Sequence, residues 1–160
     1  RLSLVGSEMC IRDSGETGQI TSSPLGSDIN YYSCPMEWRG NTFDDNKEEI
    51  LHVFSILSKP ENYPIIFHCN IGTDRTGMIS FLVNALLGVS EEDLYKDYLF
   101  SNLGAIGGTR KITGITKSGY YKAIMEADGN TLSEKTYNCL SDFGVPKTQL
   151  DSIIEILSEK

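Results

Sequence analysis

Apolar residues along the 160-residue chain recur both as short runs and at helical spacing, and this mixture is typical of α/β structure. Between residues 46 and 59 they recur at i, i+3, i+4 and i+7, at Ile50, Val53, Phe54 and Leu57. That spacing predicts a helix, and Asp45 stands where a capping side chain is expected. The apolar run at residues 63–69 is too short for a helix and rich in β-formers, so it predicts a buried central strand. Residues 75–88 are apolar on most sides, which predicts a buried helix that ends at Gly88.

The rest of the chain completes an alternating order of elements. Residues 15–30 form a predicted loop rich in Gly, Ser and Thr, and residues 31–36 a short strand. Further helices are predicted over residues 90–102, 117–127, 131–144 and 146–160. Their start signals are Ser90 with Asp93, Thr131 with Glu134, and Pro146 in a first turn. We therefore expect an α/β fold with a small, mainly parallel sheet flanked by helices.

Composition narrows the class of protein and its partners. With 39% hydrophobic residues the chain has enough apolar side chains to bury a core. The net charge is −8 with no block of Lys and Arg, which argues against nucleic acid and anionic membrane as partners. No apolar run approaches the roughly 18 residues of a membrane span. We expect a domain that is cytoplasmic by default, and the opening of the chain leaves secretion open.

The first 14 residues differ in character from the rest of the chain. The segment LVGSEMCIRDS, Leu4–Ser14, resembles a frame translation of a transposase adaptor used in preparing sequencing libraries. We interpret residues 1–14 as adaptor-derived and residues 15–160 as a single domain. Three widely spaced cysteines then remain, Cys34, Cys69 and Cys139. Their number and spacing indicate neither a disulfide framework nor a metal site.

The stretch FHCNIGTDRTG, residues 67–77, joins the predicted strand to the predicted helix. Such a turn gathers unpaired backbone N–H groups at the positive end of a helix dipole, which makes it an anion site. Gly72 lets successive amides curl inward, and Arg75 adds a planar fork that can hold two phosphate oxygens. The same positive surroundings are expected to lower the pKa of Cys69 and to yield a thiolate that attacks a bound phosphate.

Each polar side chain of this stretch has a predicted role. Cys69 attacks phosphorus, Arg75 and the loop amides stabilise the developing charge, and Asp74 handles the leaving-group proton. Thr76 stabilises the thiolate when it departs in the second step. We expect six residues to hold the phosphate, Asn70, Ile71, Gly72, Thr73, Thr76 and Gly77. This chemistry requires no metal and no cofactor.

The stretch HCNIGTDRTG resembles the Cys-x5-Arg signature of the protein tyrosine phosphatase superfamily and, within it, the bacterial tyrosine phosphatase family whose loop has the form HCxxGxDRTG. The segments SPLGSDINYYSCPM, residues 23–36, and GVSEEDLYKDYLFSN, residues 88–102, extend the resemblance over most of residues 15–160. It implies a tyrosine phosphatase fold and hydrolysis of phosphate monoesters, with protein phosphotyrosine first, through a phosphocysteine intermediate. Relatives carry an Asp-Leu-Arg segment shortly before the glutamate that matches Glu16. Adaptor-like sequence stands there instead, so we expect one or more N-terminal strands to be absent.

The identity of the proton donor has alternatives. Resemblance to phosphatases with an acid inside the signature points to Asp74, but the start of a helix also favours an acidic residue. Other superfamily members place the acid on a separate, earlier loop, where this chain offers Glu37, Asp44 and Asp45. We expect His68 to be a structural hydrogen-bonding residue that tunes the thiolate and not a base.

The substrate also has alternatives. Thr73 occupies a position where many relatives carry lysine, and loss of that cation favours phosphotyrosine over phosphoinositide. A phosphoinositide or another small phosphate ester is the alternative substrate, and an inactive fragment or a phosphate-binding pseudophosphatase is the alternative of another class. Arg110 and Lys111 lie in a glycine-rich connection, where they either meet an acidic substrate or belong to a solvated loop.

Overall fold

Three parallel strands form one sheet in the computed structural model, which describes residues 6–12, 15 and 20–158. The strands are β1 (Ser7–Cys10), β2 (Asn30–Ser33) and β3 (Ile65–His68), in the order β2-β1-β3. In register, Ser7 lies opposite Asn30 and Ile65, and Cys10 lies opposite Ser33 and His68. The small parallel sheet predicted from the sequence is confirmed.

The central strand of this sheet is β1. The prediction that residues 63–69 supply a buried central strand is wrong, because β3 is at the edge of the described sheet and Ile66 is 56% exposed. All of β1 is buried, and Met9 has no exposed surface. The strand belongs to residues 1–14, whose interpretation as adaptor-derived concerns their origin and stays a prediction. In the structure, residues 7–10 fill the middle of the sheet, where we expected N-terminal strands to be absent.

Seven α-helices accompany the sheet within the described residues. They are α1 (Lys47–Leu57), α2 (Arg75–Leu86), α3 (Glu91–Phe100), α4 (Thr113–Thr116), α5 (Gly119–Glu126), α6 (Leu132–Phe143) and α7 (Lys147–Leu157). Their apolar faces close one core, in which the rings of Phe43 and Phe143 stack with centroids 4.1 Å apart. The α/β architecture with flanking helices is therefore confirmed. Among the residues described, none of the helices has the length and apolar character needed to cross a bilayer.

Side-chain caps begin two of the helices as predicted. The Ser90 hydroxyl accepts the N–H of Asp93 at 3.2 Å, and the Thr131 hydroxyl accepts the N–H of Glu134 at 3.1 Å. The Glu134 carboxylate accepts the N–H of Asn130 at 2.7 Å, one residue before the partner of an ideal capping box. These bonds satisfy backbone donors that a helix start leaves without partners.

The predicted cap of α1 by Asp45 is wrong, because the helix begins after Asn46 and has no side-chain cap. The side-chain amide of Asn46 forms hydrogen bonds with the preceding loop instead. Its Oδ1 accepts the N–H of Glu37 at 2.6 Å, and its Nδ2 donates to the carbonyls of Glu37 and Thr42, each at 2.8 Å. This buried amide ties the loop at residues 37–42 to the start of α1, so the loop has a defined position beside the sheet.

Shortening a side chain of the central strand tests this arrangement. We expect Met9→Ala to lower the free energy of unfolding by about 2–5 kcal/mol, because it leaves a cavity at a fully buried position. Met125 is 44% exposed and provides the matched control, with an expected change in Met125→Ala within about 0.5 kcal/mol. Urea denaturation followed by circular dichroism measures both. Equal losses in the two variants would contradict a core position for β1.

Candidate active site

The loop between β3 and α2, residues 69–74, is where the sheet delivers the chain to a helix N-terminus. Gly72 has φ of +80°, a conformation that side chains disfavour, and its N–H donates to the Cys69 Sγ at 3.3 Å. A residue with a Cβ would strain this bend, so glycine here turns a backbone donor toward the sulfur. The predicted strand, turn and helix are confirmed.

The pKa of Cys69 is lowered from its ordinary value. Burial acts to raise it, but the Thr76 hydroxyl and N–H, the Gly72 N–H and the charge of Arg75 together outweigh burial. The other cysteines of the predicted set behave in the opposite way. Burial, with nearby negative charge, raises the pKa of Cys34 to about 12 and that of Cys139 to about 11. The structure therefore singles out Cys69 as the thiol that ionises most readily among these three.

Arg75 is the first residue of α2 and is only 5% exposed. Its Nη1 donates to the backbone carbonyl of Met36 at 3.1 Å. Met36 follows β2 and is itself buried. The segment after one edge strand therefore orients the guanidinium at the start of the helix that follows the other edge strand, β3. A buried, oriented arginine beside a thiol supplies a fixed positive charge to an anion in the same loop.

Asp74 occupies the N-cap position of α2, but its side chain makes no capping bond. Its Oδ2 instead accepts a hydrogen bond from the Arg110 Nη2 at 3.1 Å. The three alternative acids, Glu37, Asp44 and Asp45, are not among the residues that line the cleft around Cys69. The geometry therefore favours Asp74 as the acid nearest to bound substrate, although its catalytic role stays a prediction.

A cleft of about 420 Å³ opens over the loop. Its lining residues are Trp38, Cys69, Asn70, Ile71, Asp74, Arg75, Ile106, Gly107 and Arg110. The floor is polar and carries the thiol and the guanidinium, while Trp38, Ile71 and Ile106 supply apolar walls. The lining therefore combines a positively charged group with apolar side chains, as ligand sites commonly do.

Arg110 lines this cleft, which favours the first of the two alternatives for its segment, contact with an acidic substrate, and that contact stays a prediction. Asn102 holds the loop from both sides, since its Nδ2 donates to the Arg110 carbonyl at 2.9 Å and its Oδ1 accepts the Arg110 N–H at 2.7 Å. Lys111 is exposed. The sequence offered no signal for the pairing of Arg110 with Asp74, because the two residues are 36 positions apart.

His68 makes the structural hydrogen bonds that we expected of it. Its Nε2 lies 2.7 Å from Oε1 of Glu8, and its Nδ1 lies 3.4 Å from the carbonyl oxygen of Cys69. The Glu8 side chain is buried in β1, and its other oxygen accepts a hydrogen bond from the Ser23 hydroxyl. Glu8 was missed from the sequence because it lies in the segment interpreted as adaptor-derived. The pair anchors the end of β3 directly before Cys69.

The predicted phosphate-binding residues divide between two hollows. Asn70 and Ile71 line the cleft around Cys69, whereas Gly72, Thr73, Thr76 and Gly77 line a second hollow of about 230 Å³. Thr73 is 3% exposed, so its side chain is not offered to bulk solvent. The Thr76 hydroxyl is buried and makes no hydrogen bond of ideal geometry within the described residues. Its effect on the pKa of Cys69 therefore comes from a less ideal contact with the sulfur.

The described residues contain no group of three or more His, Cys, Asp or Glu side chains that could hold a metal ion. A protein family model described as "Tyrosine phosphatase family" matches residues 29–156 of the chain. A protein of Cupriavidus necator named as a tyrosine-protein phosphatase is 47% identical over 38 residues, which is 24% of this chain and 14% of that protein. A tyrosine-protein phosphatase of Nostoc commune is 30% identical over 66 residues, 41% of this chain and 21% of that protein. The matched segments thus span about a seventh and a fifth of these relatives.

The lowered pKa of Cys69 predicts selective alkylation. At pH 6.5 we expect iodoacetamide to modify Cys69 faster than Cys34 or Cys139, because only a thiolate reacts and the pKa values of the other two are raised. In Thr76→Val the rate–pH profile of Cys69 should move to higher pH, whereas Thr76→Ser keeps the hydroxyl and should keep the profile. Peptide mass spectrometry measures the modified fractions. An unchanged profile in Thr76→Val would contradict the role of this hydroxyl.

Proposed function

The chain belongs to the tyrosine phosphatase family, and on that premise we propose that it hydrolyses phosphate monoesters, with protein phosphotyrosine as substrate, through a phosphocysteine intermediate on Cys69. The observation that carries the proposal is a thiol of lowered pKa at the bottom of a cleft, next to a buried arginine and at the start of a helix. These features supply a nucleophile and an anion site in one loop.

The first step transfers the phosphoryl group to the protein. The Cys69 thiolate attacks phosphorus, a sulfur–phosphorus bond forms, and the bond between phosphorus and the tyrosine oxygen breaks. Asp74 donates its proton to the departing phenolate oxygen, so that neutral tyrosine leaves. The Arg75 guanidinium and the loop N–H groups hold the remaining phosphate oxygens while charge is redistributed among them.

The second step regenerates the thiolate. Water attacks the phosphorus of phosphocysteine, Asp74 takes one of its protons, and the sulfur–phosphorus bond breaks to release inorganic phosphate. The Thr76 hydroxyl stabilises the departing sulfur, as its effect on the pKa of Cys69 indicates. Asp74 ends the cycle protonated and Cys69 ends it as a thiolate, which is the state in which both entered.

The walls of the cleft support an aryl ester as substrate. Trp38 and Ile71 are each about half exposed at its rim, and Ile106 completes an apolar surround for a phenyl ring. Thr73 presents no cation to further phosphate groups, which supports phosphotyrosine over phosphoinositide. A serine or alkyl phosphate would leave these apolar walls without a partner.

Replacing the nucleophile separates binding from turnover. We expect Cys69→Ser to abolish hydrolysis of p-nitrophenyl phosphate, because serine does not ionise at neutral pH, and to keep binding of inorganic phosphate because the loop is intact. Cys139→Ser removes a thiol of raised pKa and serves as the matched control with expected wild-type turnover. Steady-state kinetics and isothermal calorimetry give the two readouts. Retained hydrolysis in Cys69→Ser would exclude phosphocysteine, and an inactive parent chain would favour the pseudophosphatase alternative.

Esters with different leaving groups show which residue is the proton donor. We expect Asp74→Asn to slow hydrolysis of phenyl phosphate by about 10²- to 10⁴-fold and that of p-nitrophenyl phosphate far less, since nitrophenolate departs without a proton. Glu37→Gln, Asp44→Asn and Asp45→Asn are the matched controls, and none should show the contrast. Initial rates on the two esters of similar size measure it. Equal losses on both esters in Asp74→Asn, with the contrast in one of the controls, would assign the acid to the loop between β2 and α1.

A further inference from the structure

Positive charge is concentrated in one part of this acidic chain. Between residues 98 and 125 there are four cations and no Asp or Glu. The cations are Arg110, Lys111, Lys117 and Lys122. Because the whole chain carries −8, the remaining 132 residues carry −12. This segment therefore attracts anions locally, whereas the negative charge of the remaining residues repels them.

The same segment lines a groove that leaves the cleft around Cys69. A hollow of about 390 Å³ shares Trp38, Asp74 and Arg110 with the cleft and continues past Tyr98 and Tyr120. Another hollow, of about 540 Å³, shares Thr42 and Ser118 with the 390 Å³ hollow and adds Lys117 and Lys122. The three hollows are neighbours that share lining residues, and we call them together the basic groove.

The two lysines at the far end of the basic groove are exposed. Neither Lys117 nor Lys122 forms an ion pair with a residue in the described ranges, in contrast to Lys96, which pairs with Glu92 and Asp93. Their ammonium groups are therefore available to carboxylates from outside the molecule.

We propose that the basic groove binds acidic residues that flank the phosphotyrosine of a protein substrate, with Lys117 and Lys122 as specificity-determining residues. This inference rests on the proposed function, because the phosphotyrosine itself occupies the cleft around Cys69. An extended peptide advances about 3.3 Å per residue, so a path of three hollows in series suits a peptide better than a single small ester.

The acidic residues of the groove favour a peptide over an anionic membrane. Asp44 and Glu126 line the same hollow as the two lysines and would face a lipid surface together with them. A peptide instead places separate carboxylates opposite separate ammonium groups and leaves the two acids in water. A concave path also fits a chain, whereas a bilayer requires a protruding basic face.

Peptide binding to the Cys69→Ser protein tests the inference without turnover. Two phosphotyrosine peptides are compared, one with Glu and one with Gln at the four positions on either side. We expect the Glu peptide to bind about 3- to 10-fold more tightly, the range given by one or two exposed ion pairs. The preference should disappear in the added double substitution Lys117→Gln and Lys122→Gln. Lys59→Gln with Lys147→Gln removes the same charge outside the groove and should retain it.

Equal affinity for the two peptides, or equal loss of preference in both double variants, would overturn the inference. Anionic vesicles that contain phosphoinositide form a further arm, and a selective loss of vesicle binding in the groove variant, with peptide discrimination unchanged, would also overturn it. Failure of the proposed function looks different, because the parent chain would then hydrolyse no aryl phosphate while the binding comparison still gives its result. Thermal unfolding checks that the substituted proteins fold.

Discussion

The site depends on the balance between two effects on the Cys69 sulfur, its burial and the hydrogen-bond donors directed at it. Burial raises the pKa of a thiol, and at Cys34 and Cys139 nearby negative charge adds to that effect. At Cys69 the bend at Gly72, the start of α2 and the buried guanidinium supply enough positive potential to reverse that tendency. The pKa of Cys69 is lowered because polar groups of the loop are fixed around the sulfur before any ligand binds.

The sheet determines the position of that loop. β3 is held by backbone pairing to β1 and by the contact between His68 and the buried Glu8, so the residue after the strand begins the loop in one place. Pairing between strands uses backbone groups that every residue other than proline carries. A short extended segment with an apolar residue facing the core therefore serves as a central strand even where its sequence resembles nothing in the rest of the domain.

Local physics explains what the sequence predicted and what it did not. The helices, two of the caps and the loop from Cys69 to Arg75 follow from spacing, hydroxyl positions and a glycine, all of which act within a few residues. The edge position of β3 and the choice of Asn46 over Asp45 depend on partners outside the local stretch. The contact between Asp74 and Arg110 also joins distant segments, and no periodicity records it. The sequence thus predicted the strand, turn and helix that hold Cys69, whereas the other walls of the cleft depend on the fold.

The separation of charge along the chain has a consequence for motion as well as for contact. The positive charge between residues 98 and 125 reaches the cleft at Arg110, while the rest of the chain is acidic. Under the proposed function, this charge attracts a phosphorylated partner from a distance and favours approaches in which the phosphate faces the cleft. Orientation in this way raises the encounter rate, so the arrangement acts on the speed of association as well as on the affinity of the final complex.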